Sequence, residues 1–354
     1  MVLVLNNDEV QEVLSMEMCL EAMENTFIDL AKGKAVNRPR SHTYAPLGRN
    51  KYYLFKSMDG AVPRYGVHAL RFSSDIVYES VVDKKRRREK LPALPGKKWL
   101  GLVMLFNLQN AELLAIIQDG FLQRMRVGAT SGVAAKYLAR KDAQVVGLFG
   151  TGDQAGPQIL ALSKVRSLKT VKLYSPNPDH ARRFAREWSE KLQVDIRTDN
   201  PKAVVTGSDI VACATNSLKP VFDSRWLSPG THVNAVAGYE LDDNCYRVCS
   251  LNVVRMREAS THWPMKGLIP GEVKGIKKFD SSQKRKIVTL ADVVTGRARR
   301  KDSREITVFS GSGAGGSSGL GVQFAFAVEV YKQAAKRGLG KELPLEWFTE
   351  SMHP

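Results

Sequence analysis

The residues Gly150-Thr151-Gly152-Asp153-Gln154-Ala155-Gly156 have the types and spacing of a backbone cradle for phosphate. As a pattern, G-x-G-x-x-A carries little weight, because a plain strand-to-helix turn uses the same residues. Its setting adds the weight: the apolar run Val145-Val146-Gly147-Leu148-Phe149 leads directly in, and a helical pattern leads directly out. In that arrangement the first glycine makes the tight turn and the second lets backbone N–H groups approach a pyrophosphate. The helix N-terminus adds its partial positive charge. The chemistry implied is dinucleotide binding.

The end of the next strand selects the dinucleotide. An acidic residue there accepts the adenine ribose hydroxyls and repels a 2′-phosphate. This chain reads Leu173-Tyr174-Ser175-Pro176-Asn177-Pro178-Asp179-His180-Ala181-Arg182-Arg183. Neither Tyr174 nor Ser175 is acidic, and Asp179, after two prolines, suits the cap of the following helix. Donors from Ser175, Asn177 and Arg182 suit a phosphate, which favours NADP(H) over NAD(H). Arg182 and Arg183 could equally be ordinary surface residues of that helix.

The elements that must position this loop follow from periodicity. Residues 8–32 place Val10, Val13, Leu14, then Cys19, Leu20, Met23, Phe27 and Leu30 at helical spacing, as two helices. From 52 to 119 the texture becomes short β-like runs at 52–55, 67–72, 101–105 and 113–117, with a hairpin turn at 107–112. From Arg126 helix and strand alternate: helix 129–139, strand 144–149, helix 155–165, strand 170–175, helix 179–192, and strands at 194–197, 209–214, 233–237 and 251–255. Alternation at this spacing means a parallel sheet covered by helices. The fold class is therefore α/β, a Rossmann doubly wound parallel sheet joined to an α+β region. A last helix at 323–337 packs back on another element.

Composition excludes several other classes. At 354 residues the chain suits two domains, and its 43% hydrophobic and 25% charged content is ordinary for a globular protein. No apolar run approaches the ~20 residues needed to span a bilayer. The first nine residues lack a basic-then-apolar signal pattern, which with the cysteine usage points to the cytoplasm. Cys19, Cys213, Cys245 and Cys249 are too scattered for a disulfide framework. The C-x3-C pair at 245 and 249 has no second pair or histidine nearby, so no metal site is expected. The formal net charge of +17 concentrates partly in Lys84-Lys85-Arg86-Arg87-Arg88 and Lys90, Lys97 and Lys98. That run flanks the breaker-rich stretch 91–96 and reads as a solvated loop; without interleaved aromatics it does not read as a nucleic-acid surface.

Several segments together resemble the ornithine cyclodeaminase/mu-crystallin family over nearly the whole chain. Arg126-Val127-Gly128-Ala129 looks like its R-T-[GA]-A element, and Gly150-Thr151-Gly152-Asp153-Gln154-Ala155 its G-x-G-x-Q-A loop. Asp209-Ile210-Val211 with Ala214-Thr215, and Pro229-Gly230-Thr231-His232-Val233-Asn234-Ala235-Val236, resemble the strands that follow. Leu290-Ala291-Asp292 with Gly296-Arg297, then Glu305-Ile306-Thr307-Val308-Phe309, fit the closing pattern. The resemblance implies a discontinuous substrate and dimerisation domain, residues 1–125 completed by 310–354, around a Rossmann domain at 126–309. It also implies a homodimer. It places Arg126, Ala214 and Thr215 beside the cofactor, and Arg40 and Arg126 on the substrate carboxylate, where a guanidinium fork fixes orientation.

Two departures bear on the chemistry. The family lysine of a G-x-K pattern is replaced by His68 in Gly66-Val67-His68. Arg71 or Lys56 could supply the missing cation, and His68 is either a proton donor or structural. The catalytic aspartate of cyclodeaminases has no counterpart: Ala235-Val236-Ala237-Gly238 runs straight into Tyr239-Glu240-Leu241-Asp242. Glu240 or Asp242 could substitute, or could simply begin the next helix. The stretch 310–319 is glycine-rich and reads as a mobile cover over the nicotinamide or as a linker.

The combined expectation is NAD(P)H-dependent reduction of a small 2-imino acid, a cyclic one included, with amino-acid dehydrogenase activity its close relative. His68, Lys56 or Glu240 would protonate nitrogen. Two other classes stay open: a cyclodeaminase-type lyase that recycles bound NAD, and a non-enzymatic NADPH-dependent binder of a small carboxylate ligand.

Overall fold

The computed structural model describes residues 1–48, 51–82, 85–96, 98–266, 287–311 and 319–351. The chain opens with β1 (Val2–Leu5), α1 (Asn7–Val13) and α2 (Met16–Ala31). It then runs through β2 (Val36–Pro46), β3 (Lys51–Val62), β4 (Val67–Val82), β5 (Lys85–Leu91), β6 (Leu100–Asn107) and β7 (Leu113–Gln118). Helix α3 (Gly120–Leu138) leads to β8 (Val145–Phe149), α4 (Ala155–Val165), β9 (Thr170–Tyr174), α5 (Pro178–Leu192), β10 (Asp195–Thr198), α6 (Pro201–Val205) and β11 (Ile210–Cys213). After these come β12 (His232–Ala235), α7 (Asp243–Val248), β13 (Leu251–Val254), β14 (Thr261–Pro264), β15 (Ile287–Thr289), α8 (Leu290–Val294) and β16 (Thr307–Ser310). Helix α9 (Ala327–Lys336) and β17 (Lys341–Leu343) close the series.

The strands form two sheets, one of nine strands in the order β14-β2-β3-β4-β6-β7-β1-β17 with β5 beside β4, and one of eight. The first is largely antiparallel. Its strands outrun the short β-like sequence runs, and β2 had no run of its own in that reading. The basic run at 85–91 is a correction: it is a strand paired with Ile76–Val82, not an exposed loop. β4 extends past the end of β6, and the returning chain satisfies the backbone groups that would otherwise be unpaired.

One face of this sheet packs on helices. In α2, Ser15 caps the first turn through the Met18 N–H. Cys19, Met23 and Phe27 recur every four residues and are fully buried. Each side chain of this size contributes about 1.5–3 kcal/mol when fully buried. They share a core with Val103, Leu105 and Ile117 of the sheet, with α3, and with Phe324 and Phe326.

The second sheet is wholly parallel, in the order β10-β9-β8-β11-β12-β16-β13-β15. Its order reverses between β8 and β11, so the two loops leaving these strands' carboxyl ends open a crevice between them. Helix α3 joins the two sheets. Arg166 closes its last turn, donating to the carbonyls of Ala135, Lys136, Ala139 and Arg140. Strand β14 returns from the second sheet's span to pair with β2 of the first. Of the glycine-rich stretch 310–319, residues 312–318 lie outside the described residues, as do Lys84 and Lys97 of the basic run.

Candidate active site

Strand β8 delivers the chain into Gly150 at φ +103°, a left-handed conformation that favours glycine. A Cβ there would meet the Ala214 carbonyl at 2.4 Å, so the loop leaving β8 lies directly on the loop leaving β11. Gly152 has the opposite surroundings: a Cβ would meet nothing within 4 Å. That open side, above the N-terminus of α4 where no side chain caps the backbone N–H groups, fits a pyrophosphate. Gly156 serves packing, since a Cβ would strike the Trp188 ring of α5. Thr151 Oγ1 donates to Ser175 Oγ at 3.3 Å, which ties the loop to the end of β9. The cap of α5 is Asn177, accepting from the His180 N–H at 3.0 Å, and not Asp179 as the sequence suggested. Asp179 sits inside the first turn, where Arg182 donates to it. With Pro178 at the first helical position, Asn177 is the residue that stands at the N-cap, from where a side-chain oxygen reaches the free N–H groups.

One turn of α3 links this loop to a second feature. Gln154 Nε2 donates to Gln123 Oε1 at 3.2 Å, and three residues on stands Arg126, 3% exposed. Its guanidinium donates to Gln323 Oε1 at 3.0 Å and lies 5.0 Å from the Phe324 ring centroid. Its Nε is buried with no hydrogen-bond partner among the described residues. Burial, then repulsion from Arg255, Arg71 and Arg40, pushes this guanidinium well below its ordinary pKa, while Asp119 opposes the shift. Arg71 also lies over the same ring, 6.0 Å from its centroid, and donates through Nε to Asp119 Oδ2 at 2.5 Å. Arg255, just past the carboxyl end of β13, donates to the Gly311 carbonyl just past β16. Burial and the charge of Arg40 bring Arg255 down to about 9.

Arg40 reaches this group because β2 carries one extra residue between Arg38 and Ser41 relative to β3. On a regular strand Arg38 and Arg40 would share a face. Here Arg38 turns to Asp59, at 2.5 Å, and Arg40 joins the interior cations. The structure thus gathers three of the sequence-derived residues, Arg40, Arg71 and Arg126, at the carboxyl edge of the parallel sheet. It adds Arg255, Asp119 and Gln323, which the sequence reading missed. An arginine ending the apolar run Leu251-Asn252-Val253-Val254, and a glutamine inside Gly321-Val322-Gln323-Phe324-Ala325-Phe326, were the available signals. Buried polar groups in such runs require partners.

Lys56 faces the same side of the sheet, 8% exposed, with its Nζ 3.6 Å from Asp75 Oδ2. Lys90 donates to Asp75 Oδ1 at 2.8 Å, and Ser73 to Oδ2 at 3.2 Å. Burial works to raise the Asp75 carboxyl, but Lys56, Lys90 and Arg71 outweigh it and hold it below its ordinary value. His68 is not brought to this group. It alternates with Val67, Ala69 and Arg71 along β4, points to the opposite face and lies 3.4 Å from Asp59. Glu240 is fully buried beneath the crevice with both oxygens accepting from the chain: Thr215 N and Oγ1 on one, Ala237 N on the other. It holds loops in place and does not present an oxygen toward Arg126. Asp242 caps α7 through the Cys245 N–H. The cysteines are buried thiols, and among the described residues no group of His, Cys, Asp or Glu is placed to hold a metal ion. Among the same residues no helix is long and apolar enough to cross a membrane.

A glycine loop at the switch point that fits a pyrophosphate, with buried Arg126 one helical turn along α3 from the loop's contact at Gln123, suits a class: the dinucleotide-dependent oxidoreductases. The chain belongs to the ornithine cyclodeaminase/mu-crystallin family, whose sequence profile matches residues 2–337. A Δ1-pyrroline-2-carboxylate reductase of Bacillus cereus is 33% identical over 257 residues, covering 70% of this chain and 75% of that one. Among solved structures, the Thermococcus litoralis Δ1-pyrroline-2-carboxylate reductase, in complex with NADH and L-proline, superposes with a TM-score of 0.76 at 29% identity. That match covers 97% of this chain and 100% of the other. An archaeal alanine dehydrogenase dimer with bound NAD gives a TM-score of 0.75 at 25% identity, covering 97% and 99%.

Proposed function

We propose that this protein is an NAD(P)H-dependent reductase of small 2-imino acids. The observation that carries the reading is Arg126: a buried guanidinium whose described partners are an amide and an aromatic ring, one helical turn from the phosphate loop. Burying a cation costs several kcal/mol unless an anion meets it. A substrate carboxylate is the anion that would do so, and the relatives named for reducing pyrroline-2-carboxylate and for dehydrogenating alanine act on compounds that carry one.

In this reading Gly150, Thr151, Gly152, Asp153, Gln154, Ala155, Ala214 and Thr215 hold the dinucleotide. When bound, it supplies hydride to the carbon of a C=N bond. Arg126, Arg40 and Arg255 orient the carboxylate, and Asp119 positions Arg71 at the edge of the same group. Lys56, with its Nζ 3.6 Å from Asp75 Oδ2, holds the proton destined for nitrogen. His68 has no part in this scheme. NADP(H) is preferred over NAD(H), since Tyr174, Ser175 and Asn177 place no acid at the end of β9.

Residues 1–125 with 310–354 form the substrate and dimerisation domain, and 126–309 the dinucleotide domain, from which β14 reaches into the first sheet. The chain pairs as a homodimer through the sheet face away from the helices. There Phe55 stacks on Phe72 at 5.6 Å, and Leu70, Leu102, Met104 and Phe106 are left half-buried. The reductase reading is tested by reduced-dinucleotide oxidation against a panel of cyclic and linear 2-imino acids. Turnover of at least one is expected, and no turnover of any would refute it.

A further inference from the structure

Glu240 is an unusual group to find under a dinucleotide crevice. It is a carboxyl with no exposure, in the short turn Gly238–Glu240, and its hydrogen bonds come from donors of two neighbouring loops. Thr215 N and Thr215 Oγ1 both donate to Oε1 at 2.7 Å, and Ala237 N donates to Oε2 at 2.8 Å. Thr215 belongs to the loop leaving β11, and Ala237 to the loop leaving β12, so this one carboxylate joins adjacent loops at the carboxyl edge of the sheet. Its reach extends to the phosphate loop: a Cβ on Gly150 would meet Thr215 Cγ2 at 3.2 Å and the Ala214 carbonyl at 2.4 Å. A displacement of Thr215 is therefore felt at Gly150.

The ionised carboxylate accepts all three bonds at full strength; protonation turns one acceptor position into a donor and weakens the bonds that remain. Burial pushes the Glu240 carboxyl up to about 7, against the hydrogen bonds from Thr215 and Ala237, which lower it. Among the described residues, the titratable groups that feel its charge are Cys213 of β11 and Tyr246 of α7. Burial raises Cys213 and Tyr246 above their ordinary values, so both stay neutral where Glu240 changes charge.

We propose that Glu240 is a positioning residue whose ionised form clasps the loops after β11 and β12 into the seat for the nicotinamide half of the dinucleotide, and whose protonation releases that seat. The proposal rests on the reading of this crevice as a dinucleotide site. A competent form that is lost on protonation gives an apparent Kd divided by its population. With the midpoint near 7, NADPH should bind about tenfold more weakly at pH 6 than at pH 8.

The test is the pH dependence of NADPH affinity, followed by fluorescence on the full chain, with ADP-ribose and its 2′-phosphate as probes of the adenosine and pyrophosphate half. Wild type should show a flat profile for ADP-ribose, and for NADPH a tenfold change beyond that of ADP-ribose 2′-phosphate, whose phosphate itself titrates at about pH 6. Glu240→Gln keeps an oxygen for Thr215 but turns an N–H toward the Ala237 N–H. It should bind NADPH at least as weakly as wild type does at pH 6, with no dependence on Glu240 ionisation at any pH. Thr215→Val removes the side-chain donor that most strongly lowers the Glu240 pKa, so its midpoint should move to higher pH. A merely structural Glu240 would not move that midpoint. Fragments that do not bind wild type at either pH would overturn the dinucleotide reading itself. Fragments that bind, with NADPH affinity flat from pH 6 to 8 or a midpoint unmoved in Thr215→Val, would overturn the clasp alone.

Discussion

Replacing Arg126 by methionine should make the protein more stable and nearly inactive at once. The side chain is 3% exposed and is repelled by Arg255, Arg71 and Arg40. Taking a cation of this size out of water costs several kcal/mol even after relaxation. Against this stand one charge-assisted hydrogen bond to Gln323, worth about 1.5–3 kcal/mol, and the contact with the Phe324 ring, worth about 1–2 kcal/mol. Gln323 Oε1 keeps the Leu320 N–H as a donor when the arginine goes, at 3.3 Å, so no buried acceptor is stranded. The free enzyme should therefore gain about 1–2 kcal/mol, read as a higher midpoint in urea at unchanged slope. The same change removes a desolvated cation from the substrate carboxylate, a loss of about 2–5 kcal/mol. In kcat/KM that is roughly thirtyfold to a few thousandfold. A variant that unfolds about 2 kcal/mol more easily while keeping its kinetics would make Arg126 a structural residue and refute the reasoning.

Other outcomes follow from the same geometry. Gly152→Val meets open space, so stability should stay within about 1 kcal/mol, while dinucleotide Kd, measured by fluorescence titration, rises at least about tenfold. Unchanged affinity would remove Gly152 from the phosphate site. His68→Gln alters a half-exposed contact with Asp59 on the far sheet face and should leave kcat/KM within about twofold. A fall of a hundredfold or more would return His68 to the chemistry. Ser175→Asp places a carboxylate at the end of β9 and should weaken NADPH far more than NADH in parallel titrations; equal losses would contradict the NADP(H) preference.

What the sequence revealed depended on how local the determinants were. The β8–loop–α4 unit was legible because a strand period, two glycines and a helix period lie within some twenty residues. The boundaries of α4 came out as read, since Ala155 to Val165 is a single uninterrupted helical pattern. The arginine group was only half legible. Arg40 and Arg126 came from family motifs, but Arg255 and Gln323 are placed by sheet order and by the return of the chain after Gly319, which no local pattern encodes. Arg40 itself depends on a register slip in β2, a strand without a clear alternating run. His68 was misplaced for the converse reason: family position suggested a role that the two-residue alternation of β4 denies. The basic run at 85–91 became a strand because β4 needed a partner, a demand set by another part of the chain.

The measurement that tests the central claim most directly is oxidation of NADPH and NADH in the presence of pyrroline-2-carboxylate, piperideine-2-carboxylate, or pyruvate with ammonia or methylamine. Oxidation with at least one of these, stoichiometric with the amine formed, is the predicted result. Release of ammonia from ornithine without net change in the dinucleotide, or tight binding of these ligands with no oxidation by any, would contradict it.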